Sequence, residues 1–173
     1  MLDELNRRID DKRDELVALT QNLIRIPTIN PPGDAYTPCA ELVGARMAKM
    51  GFQVDYIRAH DTPGDSDRFP RTNVIARKQG RHPGPTVHFN SHIDVVEVGE
   101  GWTVDPFGAE VKDGKIYGRG SCDMKGGLSA SMIAIQAYLD TNPQFNGAIE
   151  LSGTVDEESG GFGGVAHLAG MGL

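Results

Sequence analysis

Apolar residues return at two different periods along the chain, and the switches between those periods predict helices alternating with strands. From Met1 to Ile26, Leu2, Leu5, Ile9, Leu16, Leu19 and Leu23 fall three, four or seven apart among charged residues, which is the spacing of one apolar stripe on a helix. Pro27 ends that stripe, and Ile29-Asn30-Pro31-Pro32-Gly33 follows as a rigid turn whose prolines have no N–H to donate. Thr37 is placed to cap a second helix with Pro38 at its first position. Cys39, Val43, Met47 and Met50 form its buried face, and Gly51 stops it. Over 52–59 the period drops to two, Phe52, Val54 and Tyr56 alternating with Gln53 and Asp55. His60–Arg71 reads as a polar loop without a functional residue, and Asn73–Arg77 as a short strand.

Thr86–Val96 carries Val87, Phe89 and Ile93 and predicts a further strand after a turn over 80–85. Asp113-Gly114, between Ala109–Val111 and Lys115–Tyr117, is a strong hairpin signal. Leu128, Met132, Ile135 and Leu139 return to the helical period over 126–140, Ala148–Val155 reads as a strand, and Gly160, Gly161, Gly163 and Gly164 open a last short helix. Helices interspersed with strands, plus one hairpin, predict an α/β fold with a mixed sheet flanked by helices. In such sheets ligands gather beyond the carboxyl ends of strands.

Composition narrows the partners. A chain of 173 residues with 39% hydrophobic and 24% charged residues is the size and make-up of one globular domain. The net charge of -7 would repel a phosphate backbone, so nucleic acid is not expected as a partner. No apolar run approaches the ~18 residues that span a bilayer, and the N-terminal segment is charged; no membrane contact and a cytoplasmic location are expected. Cys39 and Cys122 form no C-x-x-C pair and read as reduced thiols.

Three polar clusters fall at the ends of predicted elements: His92-Ile93-Asp94, Asp123, and Asp156-Glu157-Glu158. His92 and Asp94 are two apart, so on extended backbone they share a side, and Asp94 can hold the ring N–H of a metal-bound His92. Asp123 lies in Tyr117–Gly127, YGRGSCDMKGG, where glycines let a large ion come close to the backbone. Glu157 and Glu158 repel at such range unless a cation or proton relieves them. One could ligate while the other takes a proton from water, and spacing alone does not say which. Oxygen and nitrogen ligands suit Zn, Co or Mn, and two such ions about 3.5–4 Å apart would activate water against an amide.

At these residues the chain resembles the M20 metallopeptidase family, which includes acetylornithine deacetylases, succinyl-diaminopimelate desuccinylases, aminoacylases and carboxypeptidase G-type enzymes. The resemblance runs through IPTINPPG at 26–33, SHIDVV at 91–96, Trp102, Pro106 and Phe107, YGRGSCDMKGG, and TVDEESGGFGG at 154–164. It implies a zinc-peptidase catalytic domain with two divalent ions, most commonly zinc. His92 would ligate one ion, Asp123 would bridge both, and Glu158 would ligate the other. Asp94 would orient His92, Glu157 would be the general base, and the Asp123–Met124 peptide would be cis. The family's lid or dimerisation domain and two further ligands would lie outside residues 1–173, making the chain the N-terminal part of a catalytic domain whose full-length parent is a homodimer.

The activity implied is hydrolysis of the amide of an N-acyl amino acid, with a dipeptidase or carboxypeptidase, or a catalytically silent piece, as alternatives. A phosphate cradle at GRGSCDMKGG competes poorly, because G-x-x-x-x-G-K-[ST] spacing is missing and Asp123 would repel phosphate. Cys122 beside Asp123 offers a thiolate, but neighbours along a turn point apart.

Overall fold

The computed structural model describes residues 2–173, so Met1 lies outside the described part of the expected first helix. That helix is two: α1 is Leu2–Asp11 and α2 is Arg13–Ile24. The break falls at Lys12, whose φ of -98° and ψ of 12° depart from helical values. Both pieces pack on α4 (Lys125–Thr141), and Lys12 itself reaches Asp140 at 3.4 Å. The expected stripe is buried in α2, at Leu19 and Leu23, but not at its start: Leu2 is 69% exposed and α1 has no fully buried residue.

The next helix, α3 (Tyr36–Lys49), starts ahead of Thr37. Ala35, in the left-handed region at φ 51°, is the residue before it, and the Thr37 hydroxyl meets Thr72 Oγ1 at 2.9 Å instead of capping. Tyr36 is drawn into the helix by its own burial, 1% exposed. Pro38, without an N–H, is tolerated because the first-turn donors have no intrahelical acceptor.

Four strands form the main sheet in the order β1-β2-β6-β3: β1 Gln53–Arg58, β2 Thr72–Gln79, β6 Ala148–Thr154 and β3 Thr86–His92. β3 runs parallel to β6, while β1–β2 and β2–β6 are antiparallel, so the sheet is mixed as expected. β2 outruns its expected limits because Lys78 and Gln79 continue the pairing with β6. β3 stops at His92, short of Val96, because the following residues turn to the N-terminal segment: Asn30 donates to the Val95 carbonyl and Val95 to that of Thr28, both at 2.9 Å. The hairpin forms from β4 (Glu110–Lys112) and β5 (Lys115–Tyr117).

Val74, Ala76, Ile149 and Leu151 bury against Leu23 of α2, Cys39, Val43 and Met47 of α3, and Leu128, Met132 and Ile135 of α4. Burial of this apolar surface is the main favourable term in folding. On the opposite face, Val165 and Leu168 of α5 (Val165–Gly170) line a small hollow with Ile75, His88, Asn90 and Ser152. The register that pairs His92 with Thr154 carries two chain segments out of the sheet at one rim, one through Asp94 and the other into Asp156, Glu157 and Glu158.

Candidate metal centre

His92, Asp123 and Glu158, from three separate elements, each bring one ligand atom within 4.8 Å of the others. His92 Nε2 lies 3.0 Å from Asp123 Oδ1 and 3.8 Å from Glu157 Oε2. Its other ring nitrogen, Nδ1, is 3.1 Å from the main-chain oxygen of Asp94 and 3.4 Å from the Asp94 carboxylate. With Nδ1 engaged from behind, Nε2 faces the cluster, the orientation a ligating imidazole needs.

Asp94 is fully buried, and its contacts extend beyond His92. Its carboxylate accepts the main-chain N–H groups of Glu157, at 3.2 Å, and Glu158, at 3.1 Å, and the side-chain amide of Asn30, at 3.0 Å. One side chain therefore ties the β3 exit, the 3-10 turn Glu157–Ser159 and the proline-rich N-terminal turn into one frame.

Asp123 stands apart in exposure, with 74% of its side chain open. The Asp123–Met124 peptide is cis, as the resemblance implies. The turn is held from below by Lys125, whose buried Nζ donates to the carbonyls of Leu23, at 3.0 Å, and Ile26, at 2.7 Å. These are carbonyls at the end of α2, where the helix dipole favours a cation. Burial lowers the Lys125 pKa, yet the ammonium keeps two acceptors.

The electrostatics ask for positive charge. Burial, then the Asp123 carboxylate, pushes Glu158 above the usual range. Burial works to lower His92, but hydrogen bonds with Asp94 and Asp123, and the charges of Asp94 and Glu157, raise it to about 9. Asp94 is held below the ordinary carboxylate range: burial opposes this, but His92, Asn30 and the Glu158 N–H outweigh it. A divalent ion would meet this demand, and the one imidazole nitrogen and two carboxylates fit zinc, cobalt or manganese.

Among the described residues Cys122 is not part of the ligand group. Cys122 is exposed and Cys39 buried, both free. His88 lies on the sheet face with Ser152, at 2.9 Å, as a sheet-surface residue.

Sequence reasoning missed the support around Asp156. Asp156 is 3% exposed and in the left-handed region at φ 61°, with Arg71 Nε 3.1 Å and the Tyr36 hydroxyl 3.0 Å from its carboxylate. Arg71 closes the polar 60–71 loop, whose composition does not mark it out. The available signal was Asp156 itself, a third carboxylate that repels its neighbours unless paired. Lys125 and Asn30 gave no signal, because partners so remote are set by the fold.

The model for Peptidase family M20/M25/M40 matches residues 88–173. Succinyl-diaminopimelate desuccinylase from Stenotrophomonas maltophilia (strain K279a) is 35% identical over 153 residues, covering 87% of this chain and 37% of that protein. The chain thus spans about 37% of the length of this relative. A di-peptidase of Saccharomyces cerevisiae superposes with a TM-score of 0.83 at 19% identity, over 99% of this chain and 37% of its own, a likeness of fold. An M20 family metallo-carboxypeptidase from Sulfolobus solfataricus has a TM-score of 0.69 at 25% identity, over 83% of this chain and 31% of its own.

Proposed function

The chain belongs to peptidase family M20/M25/M40, and from that premise we propose that it carries the metal site of a hydrolase that cleaves the amide bond of N-acyl amino acids, of the deacetylase and desuccinylase type. The observation that carries this reading is the convergence of His92, Asp123 and Glu158 within 4.8 Å, with Glu157 beside them. The desuccinylase likeness, at 35% identity, favours an acylated amino acid as substrate.

His92, Asp123 and Glu158 would hold the divalent ions, with zinc the first choice and cobalt or manganese as substitutes. When bound, such ions lower the pKa of water and polarise a carbonyl. Glu157, exposed and 3.8 Å from His92 Nε2, takes the proton of the attacking water; as the C–N bond breaks, it passes that proton to the leaving amine. Atoms balance: water oxygen joins the acyl carbon, and the products are a carboxylate and a free amino acid. Asp94 keeps the His92 ring aimed and the 157–158 backbone in place.

Residues 1–173 would correspond to the N-terminal part of the catalytic domain, in a cytoplasmic protein whose longer form is a homodimer. No described helix is long and apolar enough to cross a membrane. A peptidase of the same family is the second reading, favoured by the carboxypeptidase at 25% identity. Free amine released by the zinc-loaded protein from an N-succinyl amino acid, an N-acetyl amino acid and a dipeptide separates the readings. Faster release from the acylated amino acids supports the first, and faster cleavage of the dipeptide supports the second. No release from any, with metal bound, assigns the chain as silent by itself.

A further inference from the structure

Arg71 is almost wholly buried, and three loops make room for it. A Cβ on Gly33, Gly64 or Gly163 would run into its side chain, so glycines from the proline-rich turn, the 60–71 loop and the segment after the 3-10 turn frame one guanidinium. Inside that frame Nη1 donates to the carbonyls of Pro32, at 2.8 Å, and Phe69, at 3.0 Å, and Nε to Asp156 Oδ2 at 3.1 Å. The guanidinium also stacks 5.6 Å from the Tyr36 ring centre, and the Tyr36 hydroxyl donates to the other Asp156 oxygen.

Asp156 is the residue on which the turn bearing the glutamates is wound. Its carbonyl accepts the N–H of Ser159 at 3.0 Å and of Gly161 at 2.7 Å. Its left-handed backbone, uncommon for a residue with a Cβ, sets the direction in which Glu157 and Glu158 leave the sheet. Asp94 holds the two glutamate N–H groups from one side, and nothing in that contact fixes the residue before them.

We propose that Arg71, through Asp156 and together with Tyr36, is a positioning residue that sets the aim of Glu157 and Glu158 at the metal site. This rests on the ligand reading above. A guanidinium suits the task because its rigid fork holds a carboxylate and two carbonyls in fixed directions.

Cobalt(II) titration of the whole chain, followed by calorimetry and visible absorption, tests it, with circular dichroism as the check on folding. The expected result is that Arg71→Met weakens cobalt binding roughly 10–100-fold and alters the visible band while the helix signal stays native. Tyr36→Phe, which removes one hydrogen bond and keeps the ring, gives a smaller loss in the same direction. Arg77→Met, altering an arginine that pairs with Glu150 on the exposed sheet face, leaves binding unchanged. Wild-type affinity and spectrum in a folded Arg71→Met protein, or an equal loss in Arg77→Met, overturns the positioning role. Should Arg71→Met fail to fold, unchanged binding by Tyr36→Phe overturns it and weakened binding sustains it. No cobalt bound by the wild type refutes the ligand reading itself, a result distinct from these.

Discussion

The carboxylate of Asp94 accepts the main-chain N–H of Glu158 at 3.1 Å, so the residue whose main-chain oxygen meets His92 Nδ1 also holds the backbone of an acidic residue across the cluster. Three donors and the His92 ring converge on this buried group. Asp94→Ala leaves them unpaired, and the expected loss of stability is about 3–5 kcal/mol, as for breaking a buried charged pair. Urea denaturation measures it. A loss under about 1 kcal/mol, the worth of one ordinary hydrogen bond, would show that the frame does not depend on this carboxylate.

If the acidic cluster takes a divalent ion, the ion binds the folded chain and not the unfolded one. At a hundredfold excess over Kd, zinc should add about 2.7 kcal/mol of stability, which for this size raises Tm by about 5–10 °C. EDTA should return the original Tm. Glu158→Gln should remove most of the rise while relieving the repulsion that lifts Glu158 in the metal-free chain. A Tm indifferent to zinc and to EDTA contradicts the metal reading.

The acid limb of stability should have a component from the 60–71 loop. Arg58, the main cause, and the main-chain N–H of Arg71 hold the Asp65 pKa below 3.8, although burial works against them. A carboxyl depressed in the folded state stabilises the protein above the unfolded value, and that stability is lost as pH falls through the folded one. Stability should therefore drop below about pH 4, and Asp65→Asn should flatten this part of the curve. Denaturation midpoints from pH 6 to pH 2 measure it, and an equally steep fall in Asp65→Asn defeats the assignment.

Much of the fold was legible because hydrophobic period is a local property: the face of α3, the alternation of β1 and the stripe of α4 follow from nearest neighbours. The convergence of His92, Asp123 and Glu158 was legible for another reason, since each is a titratable group at the end of an element. What could not be read was long-range pairing. Arg71 finds Asp156 85 residues away and Lys125 finds Leu23 at 102, distances at which spacing carries no information. The split of the first helix belongs with these, since the break at Lys12 sits where that residue reaches Asp140 of α4.

Two adjacent glycines at the end of the Tyr117–Gly127 turn should respond to alanine in opposite ways. Both Gly126 and Gly127 lie in the first turn of α4, where alanine is favoured over glycine by up to about 1 kcal/mol. At Gly127 a Cβ meets only Met124 Cε, at 3.7 Å, an ordinary contact, so Gly127→Ala should stabilise by about 0.4–1 kcal/mol through the unfolded chain. At Gly126 the same methyl runs into the carbonyl oxygen of Ser121, a main-chain atom that cannot swing aside. That oxygen lies in the turn leading to Asp123, so relief of the clash must displace the carboxylate or open the helix. Gly126→Ala should therefore destabilise despite its better propensity, and should weaken cobalt binding where Gly127→Ala does not. Paired denaturation and cobalt titrations decide it, because propensity alone predicts the same sign at both positions and steric contact predicts opposite signs.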